Sequence, residues 1–275
     1  MPMLHDIAPH VFSNHYEEKT PQAEDIVLYY EEDKILLQEE NEALLLPCLS
    51  QLKKASPENL EYLFSIDATS FFLARENIEA EGFSMYPVQL LRETAEPWIG
   101  FAGATGWQLN RWEENHQFCS RCGSKMRHSS WERALVCPAC NLREYPKISP
   151  AVIMAVTDGD RLAMIKGKGS TSGRYHLIAG YVEIGETLEQ AVAREVYEEV
   201  GLRVKNIKYY KSQPWPFSDT IMVGFTAELD GEDVFTLQES EIAEAKWVKR
   251  DEIPPSGASG SVGNELIENF RRGGK

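Results

Sequence analysis

No run of about 18 apolar residues occurs in this 275-residue chain, so no segment is expected to cross a membrane. Basic residues are few: 28 Lys and Arg stand against 43 Asp and Glu, a formal net charge of −15. Such an acidic chain is poorly suited to bind nucleic acid or an anionic membrane over its whole body. No basic segment leading into an apolar stretch opens the sequence, which favours a cytoplasmic location. Internal repeats and low-complexity tracts are missing too. Cysteine is scarce, with five in all, and in a reducing cytosol paired cysteines suggest metal ligation before disulfides.

Four of those five cysteines are arranged in pairs. Cys119-x2-Cys122, fourteen further residues, then Cys137-x2-Cys140 has the spacing of a four-cysteine zinc ribbon. Each CxxC turn brings two thiolates to one ion. Four thiolates leave no position for water, so the expected Zn²⁺ is structural, one per chain. Cys48, in "LLPCLS", reads as a small buried apolar residue. Residues 119–147 hold six Lys/Arg against two Glu, a local +4. An RNA- or anion-contacting patch and an ordinary solvated ribbon surface both account for that excess.

The texture divides the chain at residues 1–115, 116–148 and 149–275. The first part is β-rich, with "DIVLYY" and "KILLQ" flanking a polar turn and short helical pieces at "LPCLSQLKKA" and after Pro87. Residues 97–116 have helical spacing of large apolar groups. From Ala151 the pattern is α/β. A hairpin turns at Asp158-Gly159-Asp160, a strand at "YHLIAGY" leads into a helix over 188–200, and strands follow at about 204–212 and 220–229. A short strand at "AEAKWVKRDEI", a loop at 254–263 and a helix at "NELIENFRR" complete the chain.

The helix at 188–200 is well specified and strangely charged. Thr187 with Gln190 makes a capping box, and Gly201 suits the left-handed residue that ends a helix. Glu195, Glu198 and Glu199 share an arc of about 100°. Val192, Val196, Val200 and Ala193 form an apolar stripe beside it. Like charges so placed repel. Their oxygens suit hard divalent cations, Mg²⁺ or Mn²⁺. The alternative is a solvated charged face.

Gly180, five residues, Glu186, seven residues, then Arg194-Glu195-Val196-Tyr197-Glu198-Glu199-Val200-Gly201-Leu202 resembles a complete Nudix box, with every fixed position filled. The resemblance implies an α/β/α sandwich around a mixed sheet and metal-dependent hydrolysis of nucleoside diphosphates linked to another group. It makes Glu195, Glu198 and Glu199 the metal ligands and gives Arg194 the task of bracing Glu186. The general base stays open; Glu241, from a later loop, is a further metal-binding candidate.

Two features narrow the substrate: the preceding zinc ribbon, and the array Ser212-Gln213-Pro214-Trp215-Pro216-Phe217 just past the box. Together they resemble the NADH pyrophosphatase family over about residues 110–275. Here the array continues Ser218-Asp219-Thr220 in place of Pro-x-Ser, which removes a rigid residue from the turn. The resemblance assigns substrate contacts to the array, Ser212 through Thr220, to Ala179 and Tyr181, to Tyr145 at the end of the ribbon and to Ser261. It implies cleavage of NADH and NAD⁺ to a nicotinamide mononucleotide and AMP, removal of NAD caps from RNA, and a homodimer. The alternatives are a Nudix diphosphatase for ADP-ribose or another ADP-linked metabolite, and a non-catalytic RNA-binding or sensor protein.

Overall fold

The structure is a computed structural model and describes residues 3–41, 43–53, 55–92, 94, 96–169, 173–255 and 260–274. The chain divides into two compact units, Leu4–Lys147 and Ile148–Lys275, the latter joined by Met1–Met3.

The first unit contains the β-rich region and the ribbon. One four-stranded sheet centres on the antiparallel pair Leu60–Ile66 and Thr69–Ala74, with Phe12–Ser13 and Ile26–Leu28 outside them. A second sheet is built on Lys34–Glu40, whose hairpin partner Tyr30–Glu31 lies across the polar turn. Both are rich in branched and aromatic residues, and Phe64, Phe71, Phe72 and Ile35 are fully buried. The helix α1, Pro97–Asn115, takes its proline at the first turn, where a missing N–H costs nothing. The two expected short helices are 3₁₀ segments, Leu49–Gln51 and Val88–Arg92. Cys48 departs from its expected burial. It is partly exposed, with Sγ 3.2 Å from Ser50 Oγ and 3.3 Å from Gln51 Oε1, because it opens the first of those turns.

The second unit is a mixed sheet between two helices. Its strands are β1 Ser149–Asp158, β2 Arg161–Gly167, β3 Ile178–Tyr181, β4 Val204–Trp215, β5 Thr220–Leu229 and β6 Ile242–Lys249. The order is β4-β5-β1-β2-β6, with β3 also paired to β1. β1 and β5 run parallel from Ser149↔Thr220 onward, and the remaining pairs are antiparallel. Period-two alternation along β1 sends Val152, Met154 and Val156 to one core and Ile153 and Ala155 to the other. The first core is covered by α2, Leu188–Val200, and the second by α3, Val262–Arg271. Met3 packs into the α3 core. The β1–β2 hairpin turns on Gly159 at φ +60.

β4 runs three residues past its expected end, so Ser212–Trp215 of the array are strand, paired as far as Trp215↔Thr220. Pro214 is tolerated there because β4 is an edge strand and needs its N–H on one side only. The expected 254–263 loop includes residues 256–259, which lie outside the described residues. Its last two positions, Val262 and Gly263, belong to α3.

Candidate active site

The glutamate helix begins and ends as its sequence dictates. Thr187 Oγ1 accepts the Gln190 N–H at 3.2 Å, and Gln190 Oε1 accepts the Thr187 N–H at 2.8 Å. Gly201 closes the helix at φ +73. The buried arc differs from the expected stripe, because Ala191 is buried and Ala193 exposed. The apolar face is therefore rotated toward the acids. Glu199 lies in the middle of the buried arc and is only 6% exposed, and Glu195 is half-buried at its edge. Glu198 alone stands out to solvent.

Arg194 organises the open side. All five of its N–H groups are used. Nε and Nη2 hold Glu186 at 2.6 and 2.9 Å, Nη1 reaches Glu195 at 2.8 Å and Glu198 at 2.9 Å, and Nη2 also donates to the Tyr181 carbonyl at 2.9 Å. Glu186 in addition accepts the Glu183 N–H at 3.0 Å. The guanidinium, then that backbone donor, hold the Glu186 carboxyl down at about 2. One arginine thus fixes the loop, the strand end and two helix carboxylates in one rigid set.

Gly180 has a physical reason to be glycine. A Cβ there would lie 2.0 Å from Glu195 Cδ and 2.2 Å from either carboxylate oxygen. The Glu195 carboxyl rests on bare backbone at the end of β3. Burial comes first in raising the Glu195 pKa, ahead of the opposing pull of Arg194.

Glu199 is the most perturbed acid. Burial first, then the charges of Glu195 and Glu241, push its carboxyl up to about 8. Its Oε2 is buried without any hydrogen-bond partner. A buried carboxylate oxygen with nothing to accept from is costly unless a cation completes it. The donor set therefore fits a divalent metal: hard oxygens, an orphaned atom and surplus negative charge. Glu241 sits in the turn before β6, exposed, with its carbonyl accepting the Lys168 N–H at 2.6 Å. Among the described residues, no three of these carboxylates converge to within 4.8 Å of one another. Arg194 draws Glu195 and Glu198 to its own side, while Glu199 faces inward.

The array forms the β4–β5 turn. Pro216–Ser218 make one 3₁₀ turn, and Asp219 takes the left-handed conformation at φ +54. Ser149 N–H donates to the Asp219 carbonyl at 2.6 Å, tying the turn to the start of β1. The proline missing from the array is replaced by hydroxyl contacts: Ser218 Oγ and Thr220 Oγ1 are 2.8 Å apart, and Thr220 also donates to the Ser218 carbonyl at 3.0 Å. Tyr181 Oη lies 3.4 Å from Thr220 Oγ1, so the box and the array turn meet at one end of the sheet. The Tyr181 ring is exposed, and Trp215 and Phe217 pack edge to face at 5.3 Å. Ala179 stands two residues before Tyr181 on β3, half-buried.

The ribbon cysteines come together as a set within 4.8 Å. Sulfur separations are 3.4 Å (Cys122–Cys137), 3.5 Å (Cys119–Cys140) and 3.6 Å (Cys122–Cys140). These are far too long for a disulfide. They approach the ~3.8 Å edge of a tetrahedron with Zn–S of about 2.3 Å.

Comparison with known proteins agrees with this geometry. Residues 147–268 match the NUDIX domain model, and residues 114–145 match the NADH pyrophosphatase zinc ribbon domain. The chain carries a Nudix domain behind an NADH pyrophosphatase zinc ribbon. It is 42% identical over 172 residues to an "NAD-capped RNA hydrolase NudC" of Pseudomonas putida, covering 62% of this chain and 60% of that one. A Pseudomonas aeruginosa protein of the same description is 41% identical over 179 residues, covering 64% and 62%. The chain thus spans about three fifths of the curated relatives it matches. A solved NUDIX hydrolase from Nitrosomonas europaea aligns over 57% of this chain and 90% of its own at 26% identity, with a TM-score of 0.49.

Within the Nudix domain, two residues grouped with the substrate contacts have structural duties. Gln213 is 1% exposed; its Nε2 donates to the Gly260 carbonyl at 2.8 Å and its Oε1 accepts the Val262 N–H at 2.9 Å. Its amide fastens the start of α3 to the sheet. Ser261 caps α3, accepting the Asn264 N–H at 3.3 Å. Tyr145 belongs to the other unit, where its exposed ring stands with Oη 3.3 Å from Glu132. The burial of Glu199 and the seat of Glu195 on Gly180 escaped the sequence reading. The rotation of the buried arc that causes the first depends on how α2 lies on the sheet, and nothing in a single sequence reports it.

Proposed function

We propose that the protein is a metal-dependent NAD(H) diphosphatase, cleaving the central pyrophosphate of NADH and NAD⁺ to a nicotinamide mononucleotide and AMP. The observation that carries this reading is the meeting of two features at one end of the sheet. One is a carboxylate set with an orphaned buried oxygen on Glu199; the other is the aromatic array turn, joined to it through Tyr181 and Thr220. The first suits a pyrophosphate with its cations, and the second suits a flat ring beside it.

Glu195, Glu198 and Glu199 would hold Mg²⁺ or Mn²⁺, with Glu241 contributing charge from the β6 turn. Bound divalent cations supply neutralisation of the pyrophosphate oxygens and a more acidic water. The chain supplies position. Arg194 and Glu186 keep the loop and the helix carboxylates in register, and positioning of this kind provides much of the rate in phosphoryl transfer. Trp215, Phe217 and Tyr181 offer aromatic faces to nicotinamide or adenine, with Pro214 and Pro216 stiffening the segment. Ser218 and Asp219 lie in the same turn, and Ser212 stands on the strand that leads into it. Water adds to one phosphorus, the bridging P–O bond breaks, and two monophosphates leave.

The same cleavage on an NAD-capped RNA leaves a 5′-monophosphate RNA end, in line with the relatives' description as NAD-capped RNA hydrolases. A homodimer, with Tyr145 stacking on a base, and a cytoplasmic location complete the proposal. No described helix is long and apolar enough to cross a membrane. The test is hydrolysis of NADH against ADP-ribose on one preparation. A higher kcat/KM for NADH supports the proposal, and a clear preference for ADP-ribose replaces it with the ADP-ribose diphosphatase.

A further inference from the structure

We propose that the outward face of the ribbon sheet binds single-stranded RNA; the choice of RNA as the ligand rests on the decapping activity proposed above. The three ribbon strands are Arg127–His128, Leu135–Val136 and Arg143–Glu144, with Leu135–Val136 in the middle. The register pairs Val136 with Arg127 on one side and with Arg143 on the other. Directly paired residues share a face, so the two arginines form one row roughly 10 Å wide, two strand spacings. The opposite face carries Leu135, which is buried in the ribbon core.

Of the row, Arg127 is free of any carboxylate among the described residues, while Arg143 is shared with Glu132. Among the described residues no carboxylate pairs with Arg121, Lys125, Arg127 or Lys147. Arg133, by contrast, is turned inward onto the Leu63 carbonyl. Among the described residues, the one acidic partner of these cations is Glu132, which takes Arg143 and accepts from the Tyr145 hydroxyl. The segment 119–147 is +4 in a chain of −15. A tetrathiolate zinc removes two of those charges, at the cysteine turns. A polyanion is therefore drawn to this patch and repelled elsewhere.

The row also carries a stacking platform. Trp131 is 67% exposed, an unusual place for so large an apolar ring. The Arg143 guanidinium stands over it, 5.2 Å from the ring centroid. An exposed indole under an arginine, on a ribbon whose other exposed cations lack a carboxylate partner, is the combination that binds unstacked bases with little sequence preference. A partner with only acidic side chains would use the cations and leave the ring idle.

The experiment uses the zinc-loaded full chain with a short 5′-monophosphorylated oligouridylate as probe, its affinity measured between about 50 and 200 mM salt. Trp131→Ala is expected to weaken binding by about fivefold to more than a hundredfold, with Trp131→Phe recovering most of it. The double variant Arg127→Ala/Arg143→Ala is expected to flatten the log Kd against log salt slope by about 1.4. The rate of AMP release from NADH stays within about twofold in all of them, since none touches the Nudix box. Unchanged affinity and slope in variants that retain zinc overturn the proposal. So does a change in sedimentation mass without a change in RNA binding, which assigns the face to a second copy of the chain. Should Trp131→Ala shed zinc, the exposed Arg127→Glu carries the test alone, with weaker binding supporting the proposal and unchanged binding overturning it. If the wild type binds RNA through this face but releases no AMP from NADH, the diphosphatase reading fails and the RNA face stands.

Discussion

Gly180→Ala separates catalysis from folding at this site. The backbone there does not need a positive φ, so alanine is conformationally acceptable. The new methyl would sit 2.0 Å from Glu195 Cδ, and ordinary contact begins at 3.4 Å. The Glu195 carboxyl must therefore retreat by about 1.4 Å, and as the free end of a flexible side chain it can do so. Loss of position by about 1 Å costs on the order of 10²-fold in a positioned reaction, about 2.7 kcal/mol of barrier. The retreat also breaks the 2.8 Å contact of Arg194 with Glu195, a half-buried pair whose loss costs stability about 1 kcal/mol. The expected result is kcat/KM for NADH down about a hundredfold, with Tm lower by only about 2–4 °C. Kinetics with Mn²⁺ and calorimetry on the same sample check it. Wild-type kcat/KM in Gly180→Ala would refute the argument that Glu195 works from this seat. A collapse in Tm to match the lost activity would refute the claim that the clash is confined to a side-chain end.

Three further outcomes follow from the geometry. Glu186 has its carboxyl held at about 2, below its ordinary 4.5, so its ion pair stabilises the fold above pH 4.5 and is lost as pH falls toward 2; the Tm gap between wild type and Glu186→Gln should narrow across that window and stay constant above it. Glu199, raised to about 8, must shed a proton to take a cation, so Mn²⁺ affinity measured by paramagnetic resonance should rise by up to about tenfold per pH unit below 8, and Glu199→Gln should remove the dependence. Gln213→Ala strands the Gly260 carbonyl and the Val262 N–H, each costing about 1–3 kcal/mol if left unpaired, so thermal unfolding should report a large fall in Tm where a pure ligand contact would leave it unchanged.

Much of this was readable in the residues. The capping pair Thr187/Gln190, the Gly201 stop and the hairpin at Gly159 are local chemistry, and local chemistry is written in short stretches. The cysteine spacing dictated a tetrahedral set for the same reason. What was hidden depends on packing between distant segments. The helical wheel placed Glu195 and Glu199 beside the apolar stripe, but the pose of α2 on the sheet draws both into it. Gln213 stood out only as part of a motif, whereas its amide also bonds Gly260 and Val262, 47 and 49 positions further on. Ser218 looked like a loosened turn because a missing proline is visible in sequence and a Ser–Thr hydroxyl pair is not. Cys48 looked buried from its apolar neighbours, yet it opens a surface turn.

The most direct test of the central claim is AMP release from NADH by the zinc-loaded protein, with Mg²⁺ or Mn²⁺ present or withheld, beside Glu199→Gln. The account predicts AMP and reduced nicotinamide mononucleotide in equal amounts, only with the divalent ion, and a rate lower by at least about a hundredfold in the variant. No AMP from the wild type with either ion, or equal rates in wild type and variant, would contradict it.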